Sequence, residues 1–117
     1  MNIYKLSIVI PCYNEDKNIN PLFEKIKKLL ENNYFTEIVI VDNGSTDQTY
    51  ENIISSDLYN ENKINFLKID KNLGYGHGIM SGVNISKGQC IGWCHADLQT
   101  EPIDVLNAYK KNEEKLM

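Results

Sequence analysis

Short apolar runs alternate four times with stretches of helical spacing, and that alternation confines the chain to one class of architecture. Leu6-Ser7-Ile8-Val9-Ile10, Ile38-Val39-Ile40-Val41, Ile64 to Ile69 and Cys90 to Cys94 are short and rich in apolar residues, the second β-branched throughout, as buried strands are. Pro11 is expected to end the first, because proline donates nothing to a sheet ladder. Between the runs, Leu22, Phe23, Ile26, Leu29 and Leu30, then Tyr50, Ile53, Ile54 and Leu58, and finally Ile103, Leu106 and Tyr109 recur at helical intervals. Each set makes one stripe facing a core. Asn20-Pro21 predicts the start of the first helix. Ser45 and Gln48 have the spacing of a capping box for the second. A third helix is expected from about Gly78 to Ser86, and Thr100 is expected to cap the last. Apolar strands separated by amphipathic helices form a parallel sheet covered on both faces. The expected fold is α/β, a three-layer α/β/α arrangement with a mainly parallel, Rossmann-like sheet.

A chain of 117 residues suits a single domain over 1–117, with no internal boundary. With 42% apolar and 24% charged residues it has the makings of a core and is not a disordered chain. A net charge of −4 and scattered lysines argue against nucleic acid as a partner. Cys12, Cys90 and Cys94 leave an odd thiol. Lys5 stands close to the start, and the apolar run to Cys12 is too short for a secretory leader. A cytoplasmic setting is therefore expected. No run approaches the ~18 apolar residues of a membrane span, so attachment at the inner face of a membrane would come from segments outside this chain.

The polar residues fall in a pattern of their own. Tyr13, Asn14 and Glu15 follow the first strand, Asp42 the second, Asn72, Gly74 and Gly76 the third, and His95 and Asp97 the fourth. Loops use Asn, Asp and Gly for turns, which accounts for any one cluster. Four clusters at the carboxyl ends of parallel strands point to a ligand site, since such sheets bind ligands there. Gly74-Tyr75-Gly76-His77-Gly78 with Gly82 matches neither the dinucleotide fingerprint nor a phosphate-binding loop closed by Lys-Ser or Lys-Thr.

Cys90-Ile91-Gly92-Trp93-Cys94-His95 has the wrong spacing for haem attachment and too few ligands for zinc, so its thiols are expected to be buried strand residues. His95 and Asp97 share a face if the strand end stays extended. The carboxylate is a hard ligand suited to Mg2+ or Mn2+, and the imidazole is a softer, optional one that suits Mn2+ better.

Ser7-Ile8-Val9-Ile10-Pro11-Cys12-Tyr13-Asn14-Glu15, Glu37-Ile38-Val39-Ile40-Val41-Asp42-Asn43-Gly44-Ser45-Thr46-Asp47, Asn72-Leu73-Gly74-Tyr75-Gly76 and Ala96-Asp97-Leu98-Gln99 together resemble the family 2 glycosyltransferases, in order and spacing, along nearly the whole chain. The resemblance implies a glycosyltransferase A-type fold, a nucleotide-sugar donor, often UDP-linked, and a divalent metal, Mn2+ or Mg2+. Carried over, Pro11, Tyr13 and Glu15 would line the base and ribose pocket. Asp42 would accept a hydrogen bond from the base. Asn72, Gly74 and Gly76 would lie beside the nucleotide, with Ala96 next to them. Asp97 would be the metal-binding acid of the family's D-x-D motif, the ion bridging both phosphates and acting as a Lewis acid toward the leaving diphosphate.

Three departures bear on that reading. His95 replaces the first acid of D-x-D, Asn43 replaces a frequent second Asp, and Leu73 sits where a basic residue is common. The family's catalytic domain runs roughly twice as far, and its acceptor-binding part and catalytic base follow the D-x-D region. The expectation is an inverting, metal-assisted sugar transfer of which this chain carries the donor-binding half. The acceptor, a lipid phosphate or a glycan, is left open. The alternative is a non-catalytic nucleotide-binding module derived from such an enzyme. A sheet cut after its fourth strand would leave an edge prone to self-association.

Overall fold

The structure, a computed structural model, describes residues 4–116. Its elements in chain order are β1 Leu6–Cys12, α1 Asp16–Asn32, β2 Thr36–Asn43, α2 Thr49–Ile54, α3 Asp57–Asn60, β3 Asn65–Ile69, α4 Tyr75–Ile85, β4 Cys90–Trp93 and α5 Pro102–Leu116. The four strands form one sheet in the order β3-β2-β1-β4. Every pairing is parallel, with Ile8 opposite Ile38 and Gly92, and Asp42 opposite Cys12 and Lys68. The chain steps outward from β1 in one direction through β2 and β3, then returns to the other side of β1 for β4. The sheet therefore has its switch point between β1 and β4, where such folds open a crevice.

The two faces of the sheet differ in the side chains they carry. Ile8, Ile10, Ile38 and Ile40 point to one face and pack with Ile19, Leu22, Phe23 and Ile26 of α1, Ile53 of α2 and Leu106 of α5. Val9, Val39 and Val41 point to the other, where Val83 and Ile85 of α4 join them. This is the period-two alternation of a strand buried on both sides. The smaller valines match the closer helix: a Cβ on Gly82 would stand 2.4 Å from Val9 Cγ1.

Several element boundaries depart from the sequence expectations. β1 continues through Pro11 to Cys12. The Val9 carbonyl accepts from Cys94 N–H, so that flank of β1 faces β4. Pro11, two residues on, presents its missing N–H to the same flank, beyond the last β1–β4 pair at Val9 and Trp93. No ladder bond is lost there. α1 begins at Asp16, not at Asn20-Pro21, and Pro21 lies inside it. Starting early lets Ile19 join the buried stripe, and that packing outweighs the roughly 3 kcal/mol a helix-interior proline costs.

The expected capping box does not form. Ser45 Oγ instead accepts from Asn14 N–H, and Asp47 Oδ1 accepts from Thr49 N–H at the start of α2. Leu58 belongs to a separate short turn, α3. α4 starts at Tyr75, three residues early. α5 starts at Pro102, so Thr100 is not its cap. Asp104 reaches back to Glu101 N–H, and proline fills the first helical position, which needs no donor. Leu106 is buried, but Ile103 is exposed. β4 stops at Trp93, one residue before Cys94.

Candidate functional site

Four loops meet at the switch point around a hollow of about 110 Å³ lined by Pro11, Cys12, Tyr13, Glu15, Asn43, Tyr75, His95, Ala96 and Asp97. They come from the ends of β1, β2 and β4 and from the first residue of α4, which follows β3. A larger hollow of about 510 Å³ lies at the opposite end, around the starts of β2 and β3 at Thr36 and Asn65. We place the site at the smaller one, because the strand-end loops converge only there. Its volume is below the ~300–1,000 Å³ of pockets that enclose a whole small molecule. It has room for only part of such a molecule.

The β1–α1 turn is built onto the β2–α2 loop. Asn14, at φ +52°, is left-handed, and it donates its N–H to Ser45 Oγ while Asn14 Oδ1 accepts from Thr46 N–H at 2.8 Å. Glu15 N–H donates to Thr49 Oγ1 at 2.9 Å, and Glu15 Oε2 accepts from Asn18 Nδ2 at 2.7 Å. Asp47 closes the arrangement, accepting from the Thr49 hydroxyl and from Asp16 N–H. Burial alone would raise the Asp47 carboxyl, but the hydrogen bonds from Thr49 and Asp16 outweigh it and hold it below the usual range. The result is a stiff rim carrying Tyr13 and Glu15.

Asp42, the next-to-last residue of β2, is fully buried. Oδ1 accepts from Ser45 N–H at 3.1 Å. Oδ2 has no hydrogen-bond partner among the described residues, and neither has the buried Oδ1 of Asn43. Buried acceptors are normally satisfied, so two orphans side by side at a strand end are suited to a ligand's donors. Asp42 does not itself line the hollow; its chain neighbour Asn43 and its register partner Cys12 do.

Asn43, absent from the sequence-based set of site residues, turns out to connect two loops. Its Nδ2 donates to Gly74 O at 3.2 Å. Gly78 leaves room for it, since a Cβ there would stand 2.7 Å from that nitrogen. Gly44, at φ +74°, lets the β2 loop close on Lys71 and Asn72, whose backbone a Cβ would strike at 2.4 Å. Asn72 Oδ1 accepts from Gly74 N–H at 2.7 Å, fixing its own turn. Asn72, Gly74 and Gly76 thus shape the loop without lining the hollow, which that loop reaches through Tyr75.

His95 and Asp97 both line the hollow and both are exposed, with Ala96 buried between them. They do not sit on an extended strand as expected, because β4 has ended and the chain turns, with Leu98 at φ +70°. His95 Nδ1 lies 2.8 Å from the Tyr75 hydroxyl, and Asp97 Oδ1 accepts from Gln99 N–H at 3.1 Å. That leaves one carboxylate oxygen and one ring nitrogen. No cluster of three or more His, Cys, Asp or Glu side chains suited to a metal occurs among the described residues. A divalent ion held by one or two protein groups and completed by phosphate oxygens and water fits this donor set.

The cysteines are not part of that chemistry. Burial, with Asp42, Glu15 and Cys94 nearby, raises the Cys12 thiol far above its ordinary value. Burial, with Asp104 and Asp97 nearby, pushes Cys94 up to about 12. Both stay protonated, and Cys94 turns into the core while His95 faces out.

With this geometry, the comparisons with known proteins agree. The sequence pattern described as Glycosyl transferase family 2 matches residues 7–115. The chain belongs to the family 2 glycosyltransferases. It is 35% identical over 115 residues to the undecaprenyl-phosphate 4-deoxy-4-formamido-L-arabinose transferase of Photorhabdus laumondii, covering 96% of this chain and 35% of that protein. It is 28% identical over 102 residues to the dodecaprenyl-phosphate galacturonate synthase of Rhizobium johnstonii, covering 86% of this chain and 30% of that protein. The chain thus spans about a third of the length of these curated relatives. Among solved structures, S. aureus TarS in complex with UDP-GlcNAc superposes with a TM-score of 0.73 at 25% identity, over 94% of this chain and 31% of that one. The mannosyltransferase PcManGT from Pyrobaculum calidifontis, in complex with GDP-Man and Mn2+, gives 0.68 at 22% identity, over 80% of this chain and 27% of that one. The fold is the glycosyltransferase A type.

Proposed function

We propose that this chain binds the nucleoside diphosphate part of a nucleotide-sugar donor and serves an inverting sugar transfer to a polyprenyl phosphate. The observation that carries the reading is the convergence of the β1, β2, α4 and β4 loops on one hollow at the switch point. Asp42 Oδ2, buried and unpartnered beside Asn43 of the hollow, would accept the N–H of the base once the entering nucleotide displaces the side chains that cover it. Pro11, Tyr13 and Glu15 flank base and ribose, with Asn72, Gly74, Gly76 and Ala96 shaping the far wall. Asp97 and His95 stand at the diphosphate end. A divalent ion, when bound there, supplies positive charge to the leaving diphosphate. The UDP-GlcNAc of one structural neighbour and the Mn2+ of another support the ligand class.

In the transfer, the bond from the anomeric carbon to the β-phosphate oxygen breaks as an acceptor oxygen attacks from the opposite side. The polyprenyl phosphates named in the two relatives suggest the acceptor class. A phosphate oxygen arrives already ionised, so such an acceptor needs no protein base to remove a proton, unlike a sugar hydroxyl. None of the residues lining the hollow is assigned that task.

Titration calorimetry with UDP and GDP, with and without Mn2+, tests the reading. Binding of one nucleotide, strengthened by Mn2+, is expected; no heat with either overturns it. The β4 edge, with Cys90 and Trp93 exposed, is expected to make the isolated chain self-associate. A strictly monomeric sample by light scattering would count against that.

A further inference from the structure

The contact between Tyr75 and His95 determines what His95 can offer a ligand. The Tyr75 hydroxyl and His95 Nδ1 are 2.8 Å apart. The rings stack with centroids 5.3 Å apart and planes 19° from parallel. Tyr75 opens α4 and His95 follows β4, so two converging loops are joined here. With Nδ1 engaged, Nε2 is the ring nitrogen left for anything in the hollow that both residues line.

A neutral imidazole carries one hydrogen, and its other nitrogen accepts. Two arrangements satisfy the contact. Either the phenol donates to Nδ1 and the imidazole hydrogen sits on Nε2, or Nδ1–H donates to the phenol oxygen and Nε2 keeps a free lone pair. The phenol has a proton to give, and its oxygen is a weak acceptor because the ring draws on its lone pairs. A metal-ligating histidine, in contrast, gives its second N–H to a carboxylate, carbonyl or water. The first arrangement fits the partner present.

We propose that Tyr75 locks His95 as the Nε2–H tautomer, so that His95 donates a hydrogen bond directly to the diphosphate and does not ligate the divalent ion. The inference rests on the nucleotide-sugar reading above and deepens it. Of the pair, Asp97 alone then ligates the ion, and part of the hold on the diphosphate is independent of metal. Tyr75 is a positioning residue: it acts on the diphosphate through His95.

Two measurements test this. Long-range proton–nitrogen NMR of the ligand-free chain is expected to show His95 with hydrogen on Nε2 and a bare Nδ1, and Tyr75→Phe is expected to mix the tautomers. The reverse assignment in the native chain overturns the proposal. Calorimetry with UDP (or GDP, if that is the nucleotide bound) is then run in EDTA and in Mn2+. His95→Ala is expected to weaken metal-free binding about tenfold, the loss of one hydrogen bond to a charged group, while the fold-gain on adding Mn2+ survives. Tyr75→Phe is expected to give a smaller loss of the same kind. Unchanged metal-free affinity with the Mn2+ gain abolished would make His95 a metal ligand and overturn the proposal. Failure of the native chain to bind any nucleotide would remove the functional reading, and the NMR result would identify that failure as separate from the tautomer.

Discussion

Gly82 of α4 and Val9 of β1 lie so close that a single added carbon on the glycine would stand 2.4 Å from Val9 Cγ1 and 3.0 Å from Val41 Cγ2. The contact sets the height of α4 above the sheet and so where Tyr75, its first residue, meets the hollow. An exposed glycine changed to alanine stabilises a helix by up to about 1 kcal/mol. Here the clash reverses the sign. Gly82→Ala is expected to cost about 1–3 kcal/mol in denaturant unfolding, the usual penalty for overpacking. Adding Val9→Ala should recover part of the loss, and an additive double mutant would refute the contact as its cause.

Glu37 is buried on β2 and accepts from the Ser7 hydroxyl at 2.7 Å, from Lys87 N–H at 2.8 Å and from Asn65 Nδ2 at 3.2 Å. One carboxylate thus joins β1, β3 and the α4–β4 connection at the end of the sheet away from the hollow. Glu37→Ala removes the acceptor those three groups share and is expected to cost about 2–4 kcal/mol. Nucleotide affinity of the fraction that stays folded should be unchanged, since the change lies at the far end of the strands.

The Asp47 carboxyl is held below the usual range in the folded chain. Its contribution to stability is therefore complete above the unfolded value near 3.8 and is lost as pH falls through the lower folded value. Asp47→Asn should be less stable than the native chain at neutral pH. The gap should shrink as the solution is acidified below pH ~4, measured by urea unfolding at a series of pH values. A gap independent of pH would mean the carboxylate charge plays no part.

Asp42 and Asp97 serve opposite ends of the proposed ligand. Asp42→Ala is expected to weaken nucleotide binding equally with and without Mn2+, by roughly tenfold or more for a buried acceptor lost to a base. Asp97→Ala should remove most of the Mn2+ enhancement and spare metal-free binding. Identical behaviour of the two variants in calorimetry would show the roles to be wrongly divided.

Cys90 is exposed while Cys12 and Cys94 are buried, with thiols that stay protonated. A thiol reagent at neutral pH should label Cys90 quickly and the other two only after unfolding. Rapid labelling of Cys94 in the native chain would mean that the end of β4 opens readily.

The sequence by itself determined the strands, their parallel order of use and the placing of Tyr13, Glu15, His95 and Asp97 at the carboxyl rim. Those features follow from side-chain period and from the topology that strand–helix alternation imposes, and both are local properties of the chain. Element boundaries were less legible. Pro11 reads as a strand end and Pro21 as a helix start until the packing of Ile19 and the early finish of β4 are known. Ser45 and Gln48 read as a cap because the competing partner of Ser45, Asn14, lies 31 residues away.

Only the tertiary structure decided the contacts between loops: Asn43 against Gly74, Asp47 against Asp16, Tyr75 against His95. Each joins residues distant in sequence, and hydrogen bonds of that kind depend on angles and distances fixed by how α4 and the sheet pack. The residue types at the site are therefore written in the chain, while the direction each polar atom faces is set by the core beneath it.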